Sequence, residues 1–440
     1  MRWLCHTAKG LCPLYPCQKL SFWTSNREKE KFMKFTFIDN ENLCVYDNGK
    51  VERYESTYIT RYRETTLRDQ KSKEWKKNSD AMLYDDFFGA NRRVDAALLS
   101  ISPTLDEHQL VYTFSVNESS GIYYKFTDDE KKTEAHILSS NDATFRDVVV
   151  NIGGDIAGVV QSNPLTSDIA LFSKDGGDYK CVTGGDSLDE HPFFGRNGDV
   201  YFNSYGVGRD YDNEFVRYAP SEILKLNVRS LQIDTLLSDG KNSYIKPMLD
   251  HDGNLYCIRK PGDDKETDNV FLNILLIPVR IVEALIGFVS MFVTVFTGKP
   301  LVGGKGKTPS GGGAAKNADG KKTFVNNHML NVEKELKRNA KDGDGGFIPR
   351  SWKLVKIPKN PDDFNDAYLP ASAVELASGV ADYCLLEENG EPLFLYTNGK
   401  RIFSLTAKGE KKKLCNAEFC VKLGALQTYS DGSTDLFGSL

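Results

Sequence analysis

Short apolar runs, some alternating and some continuous, recur along most of the chain, each closed by an Asp, Asn or Gly turn; this pattern predicts strands linked by tight hairpins. The first group predicts strands at residues 35–38, 43–46 and 51–54, with Asp47-Asn48-Gly49 turning the second into the third. The second has strands at 109–115 and 122–126 around Ser119-Ser120-Gly121, and the third at 156–161, 169–173 and 179–182. A fourth opens at His191 and continues through 199–203, 222–227 and 234–237. The fifth opens on Lys246-Pro247-Met248-Leu249, turns at Asp250-His251-Asp252-Gly253, forms 254–259 and resumes only at 352–357. The sixth holds 383–387, 393–396, a turn at Asn398-Gly399, 401–405 and 412–414. Residues 63–93 read as a charged, partly helical connection. Six such units of about 45–60 residues, without long strand-helix-strand alternation, predict an all-β chain, a six-bladed β-propeller with a helical, Gly-rich insertion in its fifth blade.

Units two, four and five share a phrase: SPTLDEHQLVYTFS, HPFFGRNGDVYFNS and KPMLDHDGNLYCIR. In each, a proline and a turn rich in Asp or Asn feed a strand that contains a tyrosine. This resembles the repeat of TolB-like six-bladed propellers, most clearly over residues 100–260. The resemblance implies architecture far more than activity, because one such scaffold carries many functions. Units one and six depart from the phrase.

The fifth unit is broken by residues 263–347, so the chain divides into an extension at 1–32, blades over 33–262, the insertion, and the closing part over 348–440. The insertion opens with the most hydrophobic run of the protein, FLNILLIPVRIVEALIGFVSMFVTVF, residues 271–296. Its length suffices to cross a bilayer. Arg280 and Glu283 interrupt it, however, and no second apolar run follows to bring the chain back. Arg280, Glu283, Gly287, Ser290 and Thr294 fall on one helical stripe; the rest of the helix must be buried in lipid, in a partner or on its own protein. Leu275, Ile281, Leu285, Phe288, Phe292 and Phe296 are the candidate attachment residues on it. Between 299 and 341 stand ten basic residues, among them Lys299, Lys305, Lys307, Lys321 and Lys322, against three acids, although the whole chain has a formal charge of −5. An apolar helix beside a basic, Gly-rich tract is the pairing expected at an anionic membrane surface. Capping of the propeller by the helix, with the tract as a solvated linker, is the plainer alternative.

Composition narrows the setting. Aromatics make up 11% of the 440 residues, which suits a strand-rich protein. The acidic balance excludes a general nucleic-acid binder, and the basic tract lacks the interleaved aromatics of a single-strand site. Nine cysteines without regular spacing point to a reducing, cytoplasmic compartment, possible peripheral contact with a membrane included. MRWLCHTAKGLCPLYPCQKL lacks the h-region of a secretory signal, and the spacing of Cys5, His6, Cys12 and Cys17 matches no common zinc pattern. Met33, directly before the first strand, is an alternative start.

Catalytic motifs are mostly missing. Gly306-Lys307-Thr308 lacks the earlier glycine of a phosphate loop, since position 301 is Leu, and no G-x-S-x-G elbow occurs. Asp250 to Asn254 superficially resembles a calcium loop, yet Pro261 stands where the bidentate Glu belongs, so a hairpin turn is expected. The Leu-Asp-Glu-His tetrapeptides at 105–108 and 188–191 lie at different offsets from their strands and read as coincidence. His191, His251, Asp189 and Glu190 are the nominees for a metal in the central channel, with loop solvation the competing reading. The sequence therefore favours a non-enzymatic binding platform, without cofactor or metal, that meets a protein partner or an anionic membrane through its insertion. The alternative is a propeller hydrolase or lactonase with a channel metal.

Overall fold

The computed structural model describes residues 33–74, 96–117, 119–128, 133–174, 176–195, 198–262, 322–340, 343, 345–359, 367–388, 390–427 and 436. The fold is built mostly of strands. β1 (Lys34–Asp39), β2 (Asn42–Asp47) and β3 (Lys50–Glu55) lead into helix α1 (Thr57–Glu74). A second unit holds β4 (Ala96–Pro103), β5 (Gln109–Val116), β6 (Ser119–Phe126) and β7 (Glu134–Ser140). The third holds β8 (Thr144–Val150), β9 (Ile156–Asn163), β10 (Thr166–Phe172) and β11 (Tyr179–Cys181). The fourth comprises β12 (Ser187–Phe194), β13 (Asp199–Arg209), the side strand β14 (Phe215–Tyr218), β15 (Glu222–Asn227) and β16 (Gln232–Leu237). In the fifth, β17 (Asn242–Leu249) and β18 (Leu255–Pro261) are separated from β21 (Lys353–Ile357) and β22 (Val374–Ser378) by β19 (Lys322–Val325), β20 (His328–Asn331) and helix α2 (Val332–Asn339). β23 (Asp382–Glu388), β24 (Glu391–Thr397), β25 (Gly399–Thr406) and β26 (Lys411–Cys420) form the sixth, and β27 (Lys422–Gly424) returns to pair with β1.

Every unit is an antiparallel four-stranded sheet; the third and fourth are joined by one parallel pair, Ser167 with Leu188. The first strands of the units, β27, β4, β8, β12, β17 and β23, touch in that order and return to β27. A closed circuit of inner strands results. Its core lies between neighbouring sheets, where alternate residues of one sheet meet those of the next. Tyr256 against Phe394 joins units five and six, with ring centroids 4.8 Å apart, and Phe37, Cys44, Leu395 and Cys420 join units six and one.

The structure differs from the sequence reading at several points. Ser119, Ser120 and Gly121 belong to β6 and not to a turn, because the hairpin closes one residue pair earlier, at Val116 and Ser119. Gly121 is needed there: a Cβ would sit 2.9 Å from the ring of Phe114. The helix expected after residue 63 begins at Thr57, where the Glu134 carboxylate accepts from the backbone N–H groups of Thr57 and Tyr58 at 2.6 and 3.0 Å. A carboxylate is stabilising at that end of the helix dipole.

The largest difference concerns residues 322–340, expected as part of a basic linker. Asn326 and Asn327, at φ of +47° and +60°, form a two-residue hairpin turn between β19 and β20, the conformation that Asn tolerates best after Gly. Asn331 then caps α2 by accepting from the Lys334 backbone N–H. Val325, Leu330, Phe347 and Ile348 are buried in the same core as units four to six.

Candidate functional site

The inner strands meet at a cavity of about 40 Å³. In β4, β8, β12 and β17 the pairing register shifts near mid-strand, at Leu98/Ser100, Phe145/Val148, Glu190/Phe193 and Ile245/Met248. Such bulges re-aim side chains. Ser100, Ser102, Asp147, His191, Lys246, Cys384 and Lys422 all line the cavity. His191 and Lys246 adopt left-handed φ angles of +53° and +55°, uncommon outside Gly and Asn.

Two ion pairs dominate this centre. Lys422 Nζ donates to Asp147 Oδ1 at 2.6 Å, and His191 Nε2 stands 3.9 Å from Asp147 Oδ2. Lys246 Nζ donates to Asp382, whose carboxylate also accepts from the Leu423 N–H at 2.7 Å and the Tyr383 N–H at 3.0 Å. The first pair ties unit one to unit three, and the second ties the neighbouring units five and six. Burial by itself would raise the Asp147 pKa, but Lys422, His191 and Arg146 outweigh it and hold the carboxyl well below the usual range. Burial pushes the His191 imidazole down, against the pull of Asp147. Burial also works to lower Lys246, and Asp382 more than compensates, so its ammonium is held more firmly than usual. Burial pushes the Cys384 thiol up to about 12, which leaves it protonated and unreactive at neutral pH.

These shifts give a pH dependence with a definite sign. His191 stays neutral in the fold but binds a proton in the unfolded chain near pH 6.5, so stability falls as pH drops below that value. The slope contributed is at most about 1.4 kcal/mol per pH unit. Asp147 adds a second loss only below about pH 4, where the unfolded carboxylate protonates first. Urea titrations between pH 8 and 5 are expected to show the first loss in the natural chain and not in His191→Gln. Equal slopes in the two proteins would remove His191 as the cause.

The β19–β20 turn is bonded to residues next to those of the centre. Asn327 Nδ2 donates to Glu190 Oε2 at 2.6 Å, Arg146 pairs with Glu190 at 2.8 Å, and Asn326 Nδ2 donates to the Ala381 carbonyl at 2.7 Å. Lys260 Nζ donates to the Asn326 carbonyl at 2.9 Å. The hairpin tip thus bridges units three, four, five and six. Past β27, Gln427 pairs with Asn151 and accepts from the Phe194 N–H at 2.7 Å. A separate open groove of about 610 Å³ runs between α1 and unit two, beside Tyr58, Tyr62, Tyr123 and His136.

The four nominated metal residues are not gathered at one point. His191 faces the cavity, Glu190 bonds Arg146 and Asn327, Asp189 accepts from the Ser204 hydroxyl at 2.6 Å, and His251 sits exposed in the β17–β18 turn. Among the described residues no group of three or more His, Cys, Asp or Glu side chains could hold a metal ion. The Asp250 loop is a hairpin turn: its carboxylate is satisfied by the N–H groups of Asp252 and Asn254, the Asn254 amide and the Tyr256 hydroxyl. A signal for the centre was present in the repeat phrase, since the residue before its proline, Ser102, His191 or Lys246, lines the cavity each time. Asp147 and Lys422 carried none. Leu275, Ile281, Leu285, Phe288, Phe292, Phe296, Lys299, Lys305, Lys307 and Lys321 lie outside the described residues, and Lys322 opens β19. Among the described residues no helix is long and apolar enough to cross a membrane.

No family model matches the chain. Nor does any curated protein. Among solved structures, TolB from Acinetobacter baumannii is similar at 9% identity over 89% of this chain and 66% of its own, with a TM-score of 0.43. A puromycin-hydrolysing peptidase from Mycobacterium tuberculosis is similar at 10% identity over 89% of this chain and 45% of its own, with a TM-score of 0.38. The chain thus spans just under two thirds of the length of the first and under half of the second. A putative TolB from Agrobacterium tumefaciens shares 11% identity over 74% of this chain and 82% of its own, with a TM-score of 0.35. The structures similar to this chain include a TolB and a putative TolB, the group that the repeat phrase resembles.

Proposed function

We propose that the chain is a six-bladed β-propeller working as a non-enzymatic binding platform, held at an anionic membrane surface or a protein partner through its fifth-blade insertion. The observation that carries this reading is the state of the centre: two ion pairs between units leave a cavity of about 40 Å³, room for about three waters and not for an organic substrate. What remains for recognition is the outer surface and the inserted segment. That segment departs after Pro261 and returns at Lys322, and its returning hairpin is bonded to four units, a firm base for residues 263–321. The apolar run and the basic tract within those residues are the attachment elements of the proposal. A cytoplasmic setting at the membrane face is part of the same reading.

Liposome flotation tests it. The full chain is compared with a variant lacking residues 265–319, which spares the hairpin and the core residues Val325, Leu330, Phe347 and Ile348. The full chain is expected to float with vesicles containing anionic lipid and the variant to stay in solution. If both remain in solution and differ only in oligomeric state, the insertion serves protein association and the membrane part is withdrawn.

A further inference from the structure

The hydrogen-bond pattern around His191 determines which ring nitrogen holds the proton. Asn203 Oδ1 lies 3.1 Å from the backbone nitrogen of Lys246, which can only donate, so the oxygen of this amide is correctly placed. The same oxygen lies 2.9 Å from His191 Nδ1. An acceptor at that distance requires Nδ1 to carry the hydrogen. In the neutral ring Nε2 is then a bare lone pair, and it faces Asp147 Oδ2, another acceptor, across 3.9 Å.

Two buried acceptors facing each other need a donor between them. Among the described residues the imidazole makes no further hydrogen bond. Lys422 is engaged with the other carboxylate oxygen, Oδ1, and Lys246 with Asp382. The cavity of about 40 Å³ beside them is lined by both residues of the facing pair, and one water needs about 10–15 Å³ measured in this way.

We propose that the centre of the ring is a buried water site, in which one water donates a hydrogen to His191 Nε2 and the other to Asp147 Oδ2. The site is linked to protons. Once the imidazole binds one, Nε2–H donates to Asp147 itself and the bridging water is released. Asp147, Glu190, Lys422 and Lys246 are the charged groups that act on the ring, with Arg146 paired to Glu190 and Asp382 to Lys246. The two acids favour the imidazolium and the two lysines oppose it. The water site thus joins units three and four through a bond that pH can exchange.

The test uses the full chain at pH 7.5. Nitrogen-15 spectra of the histidine rings should show His191 with its hydrogen on Nδ1 and none on Nε2. Oxygen-17 relaxation dispersion should count one fewer long-lived water in Asp147→Asn than in the natural chain. That variant keeps an oxygen for Lys422 and turns an amide donor towards Nε2. Should it fail to fold, His191→Gln serves instead, since its amide donates to Asp147 and the same single water should be lost. A hydrogen on Nε2 at pH 7.5, or a water count unchanged in the folded variant, would overturn the proposal.

Discussion

Asp382→Asn is expected to destabilise the fold by about 3–5 kcal/mol, the cost of leaving a buried charge without its partner. The Asp382 side chain is 4% exposed and that of Lys246 13%, so solvent cannot replace the lost bond. Both carboxylate oxygens are in use, one towards Lys246 and the Tyr383 N–H, the other towards the Leu423 N–H. An asparagine has one acceptor oxygen, so its amide hydrogens must face either an ammonium or a backbone donor. Urea unfolding at neutral pH measures the loss. Lys246→Met combined with Asp382→Asn should recover part of it, because the unpaired ammonium is then gone. A loss under about 1 kcal/mol in the single variant would mean that the pair is solvated and does not tie units five, six and one together.

Ending the chain after Cys420 should have a larger effect still. Residues 422–424 are the inner strand of the first unit, although they lie at the other end of the sequence from its remaining strands. Without them Thr36, Phe37 and Ile38 of β1 lose their backbone partners, Leu423 leaves a buried cluster, and Asp147 loses Lys422. An inner edge would open in the middle of the core, where unpaired backbone groups are most costly. The expected result is a chain without a cooperative thermal transition. A sharp transition close to that of the full chain would show that the circuit of inner strands does not need β27.

Much of the fold was legible in the chain itself. The strands β1 to β3, β9 to β11 and those of unit six were readable from alternation and from their turn residues, and Asp250 behaves as the turn chemistry predicts. The inner strands β4 and β8 were missed. β8 follows a turn at Ser140-Asn141-Asp142 but is interrupted by the charged pair Arg146-Asp147, which makes sense only when its partners are known. The hairpin at 322–331 had its signal in Asn326-Asn327, but the surrounding lysines and glycines suggested a linker. Local composition outweighed a local turn.

The candidate site was less legible, for a reason of distance. Lys422 lies 275 residues from Asp147 and Asp382 lies 136 from Lys246, so no window of sequence contains either pair. Many strand positions, several hairpin turns and the repeat phrase were determined by the sequence alone, because periodicity and turn conformation act over a few neighbouring residues. Closure by β27, the ion pairs between units and the bonding of the hairpin to four units were decided only by tertiary structure. Their stabilisation arises when distant charges and unpaired strand edges meet inside a low-dielectric core, where each is costly until its partner arrives.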